Sequence, residues 1–120
     1  MSTKTRSEYT VNGIVLEPGA DLRNQNLSGL DLTGVSLSNA DLRGANLSNA
    51  YMQWAVIRGA DFRGANLTGT VLDRAKLNSC NFEGARLNGT DFTLADISDA
   101  NFSENTLTNC NLTNTKAFRT

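Results

Sequence analysis

The chain has no histidine, a single proline, a single tryptophan and two cysteines, and its formal net charge is −1. Without histidine the commonest general base is missing. No nucleophile elbow, P-loop or dinucleotide fingerprint takes its place. An enzyme is therefore not expected, and neither is a cofactor. The near-zero charge leaves no basic footprint for direct nucleic-acid binding. Two cysteines and no histidine cannot build a zinc cluster, and no calcium-loop spacing occurs. No apolar run is long enough for a signal peptide or a membrane span, so the expectation is a cytoplasmic protein. At 120 residues there is room for one domain.

What the chain has is a five-residue word. A large apolar residue recurs every fifth position from Leu22 to Leu112, nineteen times without insertion. Two places earlier the residue is small, as in Ala40, Ala45, Ala50, Ala60 and Ala65. One place earlier it is often Asp or Asn, as in Asp21, Asn26, Asp41 and Asn46. Two places later it is Gly or Asn in 13 of the 19 words. Period five fits neither an amphipathic helix nor an alternating strand. A fixed short period is the mark of a solenoid. Gly or Asn at a fixed place suggests one turn per word, with φ > 0 at that residue as in a type II turn.

A longer period is also visible. Taking every fourth centre gives a column Leu27, Leu47, Leu67, Leu87, Leu107, and another Leu22, Leu42, Phe62, Phe82, Phe102. The outward residues Asp21, Asp41, Asp61 and Arg23, Arg43, Arg63 repeat at the same interval. The sequence thus favours a square coil of four words. Centres and the small residues two before them would fill a narrow tube and leave no room for a ligand. Both Cys80 and Cys110 fall at small inward positions, on opposite walls, so they are expected to be buried and unpaired.

The pattern A-(D/N)-L-x-x from Ala20 to about Thr115 resembles the pentapeptide repeat family. That resemblance implies an all-β fold, a right-handed quadrilateral parallel β-helix, here of about 4.75 coils.

Taken in order, residues 1–8 read as a flexible arm and 9–19 as a cap and turn. Tyr9–Leu16 holds an Asn12-Gly13 hairpin signal that places Val11 opposite Ile14 and Tyr9 opposite Leu16. An extended lead-in strand is the alternative. Residues 20–115 are the β-helix and 116–120 a tail. Gln25, Leu30 and Val35 replace the small inward residue in the first coil, which predicts a wider coil fitted to the cap. Asn105 does the same near the end, which predicts a looser last coil. There Leu107, Leu112 and Phe118 are candidates for an end-to-end contact, either through Phe118 folding over the opening or through a homodimer.

One surface group breaks the word. Tyr51, Val56 and Val71 stand where Asp or Asn is usual. Trp54, Arg74 and Leu94 share one corner column where Gly or Asn is expected, with Trp54 one coil from Arg74. Together they form a candidate protein-binding patch. The Asp and Arg columns are expected to screen each other as solvated ladders rather than to hold a metal. The expected function is a non-enzymatic structural or protein-interaction module with an unknown protein partner. The family resemblance implies an alternative, a DNA-mimicking binder of a type II topoisomerase such as gyrase. Against it, positions 20–115 carry ten acids to seven bases, and Arg23, Arg43 and Arg63 line one wall.

Overall fold

A computed structural model describes residues 9–119; the arm expected over 1–8 lies outside them. Two short strands open the described chain: β1, Thr10–Val11, and β2, Ile14–Val15. They pair antiparallel, Val11 against Ile14 and Thr10 against Val15. Asn12 and Gly13 at the tip both have positive φ, 52° and 76°, as a type I′ turn requires. The Leu16 amide donates to the Tyr9 carbonyl at 2.6 Å and closes the hairpin.

Beyond Gly19 the chain winds as a four-sided parallel solenoid. Asp21 pairs with Asp41, Asp41 with Asp61 and Asp61 with Asn81, each twenty residues on. Ladders starting at Asn26, Asp31 and Ser36 run along the other three walls. The bonding is regular. Leu42 N–H donates to the Asp61 carbonyl at 2.8 Å, and Asp61 N–H donates back to the Ala40 carbonyl at 3.0 Å. In the regular coils the wall residues thereby bond to the coils on either side, which a buried parallel sheet demands.

The corners follow from the word. Ala45 N–H donates to the Leu42 carbonyl at 3.0 Å across the corner residue Gly44, whose φ is 69°. Every fifth residue from Gly19 to Arg119 has positive φ, whatever its identity. The Asp or Asn before each centre has a structural use that composition alone did not reveal. Its carboxyl or amide oxygen accepts the N–H two residues on, as Asn46 does from Ser48 at 3.0 Å and Asp91 from Thr93 at 2.9 Å. These are Asx turns that hold each corner.

Inside, the centres from Leu22 to Ile97 are buried, together with the alanines from Ala40 to Ala100. Phe62, Phe82 and Phe102 stack face to face at 4.8 and 4.9 Å, nearly parallel, and Phe92 meets Phe82 edge-on at 6.1 Å. The stacking distance is the coil spacing itself. Three polar inward residues of the middle coils are satisfied by the coil before. Thr70 Oγ1 donates to the Leu47 carbonyl at 2.7 Å, Thr90 Oγ1 to Leu67 at 2.6 Å, and Cys80 Sγ to Ile57 at 2.7 Å. Both cysteines are free. Burial pushes the Cys80 thiol up to about 12, so it packs as a small hydrophobe and is no nucleophile.

The hairpin lies over the first coil. Tyr9, Val11 and Ile14 pack against the core, Leu16 is buried, and Asn12 Nδ2 donates to Gln25 Oε1 at 2.9 Å. Of the three off-pattern inward residues Gln25 bonds the hairpin directly, while Leu30 and Val35 join the same apolar cluster as its side chains. At the other end the ladder passes residue 115, where the sequence reading ended the repeat. Asp96 pairs with Lys116, and Asp99 N–H donates to the Phe118 carbonyl at 2.8 Å. Residues 116–119 therefore continue the fourth wall instead of forming a tail. The sequence hid this because Ala117 stands at the centre position in place of a large residue.

Candidate functional site: an off-pattern corner

The structure places Trp54, Arg74 and Leu94 on three successive coils of one corner. Their φ values are 64°, 61° and 59°. Their amides keep the ladder, donating to Asp73, Thr93 and Thr113 at 3.1, 2.8 and 2.9 Å. The backbone is thus held in the corner conformation regardless of side chain. For a bulky residue that left-handed conformation costs about 1–2 kcal/mol relative to glycine.

What these side chains gain in return is small. Trp54 is 62% exposed and Leu94 is 44% exposed. The Arg74 guanidinium lies 5.4 Å from the Trp54 ring centroid, and its Nη1 also pairs with Asp73 Oδ2 at 2.9 Å. An exposed cation–π contact is worth about 0.5–1 kcal/mol. One such contact does not offset three strained corners. Folding alone would favour Gly or Asn at all three.

The remaining members adjoin. Tyr51, half-exposed, pairs in the ladder with Val71 on the third wall, and Val56 begins the step to Lys76 on the fourth. None of the three can form the Asx bond of the word, so their corners lack that restraint. The structure does not bring the other candidates together in the same way. Leu107 and Leu112 are successive centres at the last coil, both partly exposed. Phe118 does not fold over the opening. It lies on the outer side of the fourth wall, 65% exposed, with Lys116 Nζ 5.5 Å from its ring.

The charged columns form a self-neutralised ladder on the first wall. Arg23 grips Asp21 with two bonds, Nε to Oδ1 at 2.9 Å and Nη2 to Oδ2 at 2.8 Å, and reaches Asp41 at 3.7 Å. Arg43 repeats this with Asp41 and Asp61, and Arg63 with Asp61. The Arg23 side chain holds the Asp21 carboxyl down at about 2. The Asp41 and Asp61 carboxyls are lowered by Arg43 and Arg63 for the same reason. These carboxylates are bound to their own arginines and present no free acidic stripe. Among the described residues no group of three His, Cys, Asp or Glu could hold a metal. No described helix is long and apolar enough to cross a membrane.

The sequence pattern described as Pentapeptide repeats matches residues 19–53 and 55–93, in eight copies. The chain belongs to the pentapeptide repeat family. Its fold is accordingly the right-handed quadrilateral β-helix of that family. A pentapeptide repeat protein from Nostoc PCC 7120 superposes with a TM-score of 0.75 at 31% identity, over 85% of this chain and 84% of that one. One from the thylakoid lumen of Arabidopsis thaliana gives 0.75 at 30% identity, over 78% of this chain and 66% of that one. QnrB1, a plasmid-mediated fluoroquinolone resistance protein, gives 0.52 at 19% identity, over 82% of this chain and 58% of that one, a likeness of fold alone. No curated protein matches the sequence.

Proposed function

We propose that this pentapeptide repeat protein is a non-enzymatic protein-interaction module. Its contact surface is the corner formed by Trp54, Arg74 and Leu94, with Tyr51, Val56 and Val71 beside it. One observation carries the reading: three consecutive coils hold strained, exposed residues at a corner where the coils before and after hold Gly34 and Asn114. Strain that folding does not need is evidence for a use outside folding. An exposed aromatic with an arginine is the composition of an interface hot spot. Arg74 is already paired with Asp73, so the complementary partner surface is apolar and neutral, not acidic.

The test compares wild type with Trp54→Gly in capture experiments from a lysate of the source cell. Glycine suits the corner, so the variant keeps the fold. Loss of a specific partner supports the reading, and identical partner profiles overturn it.

The exposed Leu107 and Leu112 support a second reading, in which two copies meet end to end at the last coil. A monomer mass independent of concentration in sedimentation removes it. Topoisomerase mimicry draws no support from the first wall, where each aspartate is matched by an arginine. Inhibition of gyrase supercoiling by the protein would reinstate that alternative.

A further inference from the structure

The second wall breaks at one rung. Along it Asn26 pairs with Asn46, Asn46 with Asn66 and Asn66 with Arg86. The next pair, Arg86 with Thr106, is not made. In earlier coils Arg86 N–H donates to Ala65 and Leu67 N–H to Arg86, at 2.9 and 2.8 Å. The equivalent bonds, Thr106 N–H to Ala85 and Leu87 N–H to Thr106, are absent among the described residues. One rung on, the ladder resumes, with Gly89 N–H donating to Thr108 at 3.0 Å.

Asn105 lies at the break. It stands at an inward position that Ala45, Ala65 and Ala85 occupy in the coils before. Its Nδ2 donates to the Ala85 carbonyl at 2.8 Å, the acceptor that Thr106 N–H would use in a regular rung. Its Oδ1 is buried with no hydrogen-bond partner. An unpaired buried acceptor costs about 1–3 kcal/mol, so an Ala at this position would fold better.

A groove of about 460 Å³ opens at the same place. It is lined by Arg86, Leu87 and Asn88 on one coil and by Glu104, Thr106 and Thr108 on the next. Three features meet there. The Leu87 N–H and the Thr106 carbonyl and N–H have no protein partner among the described residues. Arg86 and Glu104, of opposite charge, line one space. Thr106 and Thr108 complete the walls.

The geometry points to a binding site for a short zwitterionic peptide. A peptide amide supplies partners for two of these three groups, a carbonyl for Leu87 N–H and an N–H for the Thr106 carbonyl. Its terminal carboxylate faces Arg86 and its ammonium faces Glu104. The site lies at the fourth and fifth turns of the second wall and is independent of the Trp54 corner.

The experiment titrates glycylglycine into the isotopically labelled full chain and follows backbone amides by NMR. The expected result is saturable shifts of Leu87 and Thr106 at a Kd of about 1 mM or below, with Leu67 unmoved. The matching variant is Asn105→Ala, which restores the repeat word, so its fold is secure. It should close the rung, protect the Thr106 amide and lose the titration. Arg86→Gln should weaken binding several-fold while leaving the ladder as it is. No shift at Leu87 and Thr106 in the wild type overturns the proposal, and so does equal binding by Asn105→Ala.

Discussion

The two ends of this tube are built from the same word and finish differently. At the amino-terminal end a hairpin lies across the first coil. The coil departs from the word with Gln25, Leu30 and Val35; Gln25 bonds the hairpin, and the other two lie in the apolar cluster that the hairpin packs on. At the far end the departures are polar: Asn105, Cys110 and Thr115 sit at the inward positions. There Phe102 is only partly buried, and Leu107 and Leu112 are exposed. A solenoid buries its core by stacking, so each end must be covered by something other than another coil. Larger apolar inward residues go with a covered end. At the open end three polar inward residues follow in succession, and Cys110 Sγ donates to the Leu87 carbonyl at 2.9 Å, as Thr70, Cys80 and Thr90 do to preceding coils in the middle of the tube. Departures from a repeat therefore report what each coil faces.

The sharpest way to break this comparison is to cut the middle and the end with the same knife. Phe82→Ala removes the central ring of the phenylalanine stack and should cost about 3–5 kcal/mol. Leu112→Ala, where water already reaches the side chain, should cost under about 1 kcal/mol. Urea unfolding monitored by circular dichroism measures both, and equal losses would mean the last coil is as tightly packed as the middle.

Next in size is the cap. Leu16 is buried beneath the hairpin, so Leu16→Ala should cost about 2–4 kcal/mol. A negligible change in the same unfolding curve would show that the hairpin is a passenger. The off-pattern corner should respond in the opposite direction. Leu94→Gly relieves a left-handed φ at an exposed position and should raise stability by about 0.5–1 kcal/mol, after allowance for glycine's greater freedom in the unfolded chain. A loss of stability there would mean the corner is self-packed, and the case for a contact surface would fall.

Smallest is the charged wall. The folded-state pKa of Asp21 is held below its ordinary value, at about 2. Its contribution is therefore present above pH about 4 and lost as pH falls toward about 2. Carboxyl titration by NMR should show the Asp21 midpoint rising toward the normal range in Arg23→Gln. The effect on overall stability is slight because the pair is exposed.

The fold was legible because one structural rule repeats. Each large centre, each small inward residue and each Gly or Asn at a corner is dictated by the same geometry, so nineteen words reinforce one reading. The twenty-residue coil was legible for the same reason, through the Asp, Arg and Phe columns. The Trp54 column was visible as an exception to the word, although its positive φ needed coordinates. Two things were hidden. The fourth wall runs through Ala117, where no large side chain marks the centre. The missing rung at Thr106 lies where the Asn105 side chain bonds the Ala85 carbonyl, a side-chain orientation that no pattern of residue types records.

Backbone amide hydrogen exchange along the second wall tests the central claim most directly, because Leu27, Leu47, Leu67 and Leu87 occupy equivalent positions there. Ladder bonds to the next coil should make Leu27, Leu47 and Leu67 exchange only through large openings of the tube. Leu87, equally buried but without its rung, should exchange orders of magnitude faster than Leu67. Equal protection at Leu87 and Leu67 would contradict the broken rung, and fast exchange at all four would contradict the coil itself.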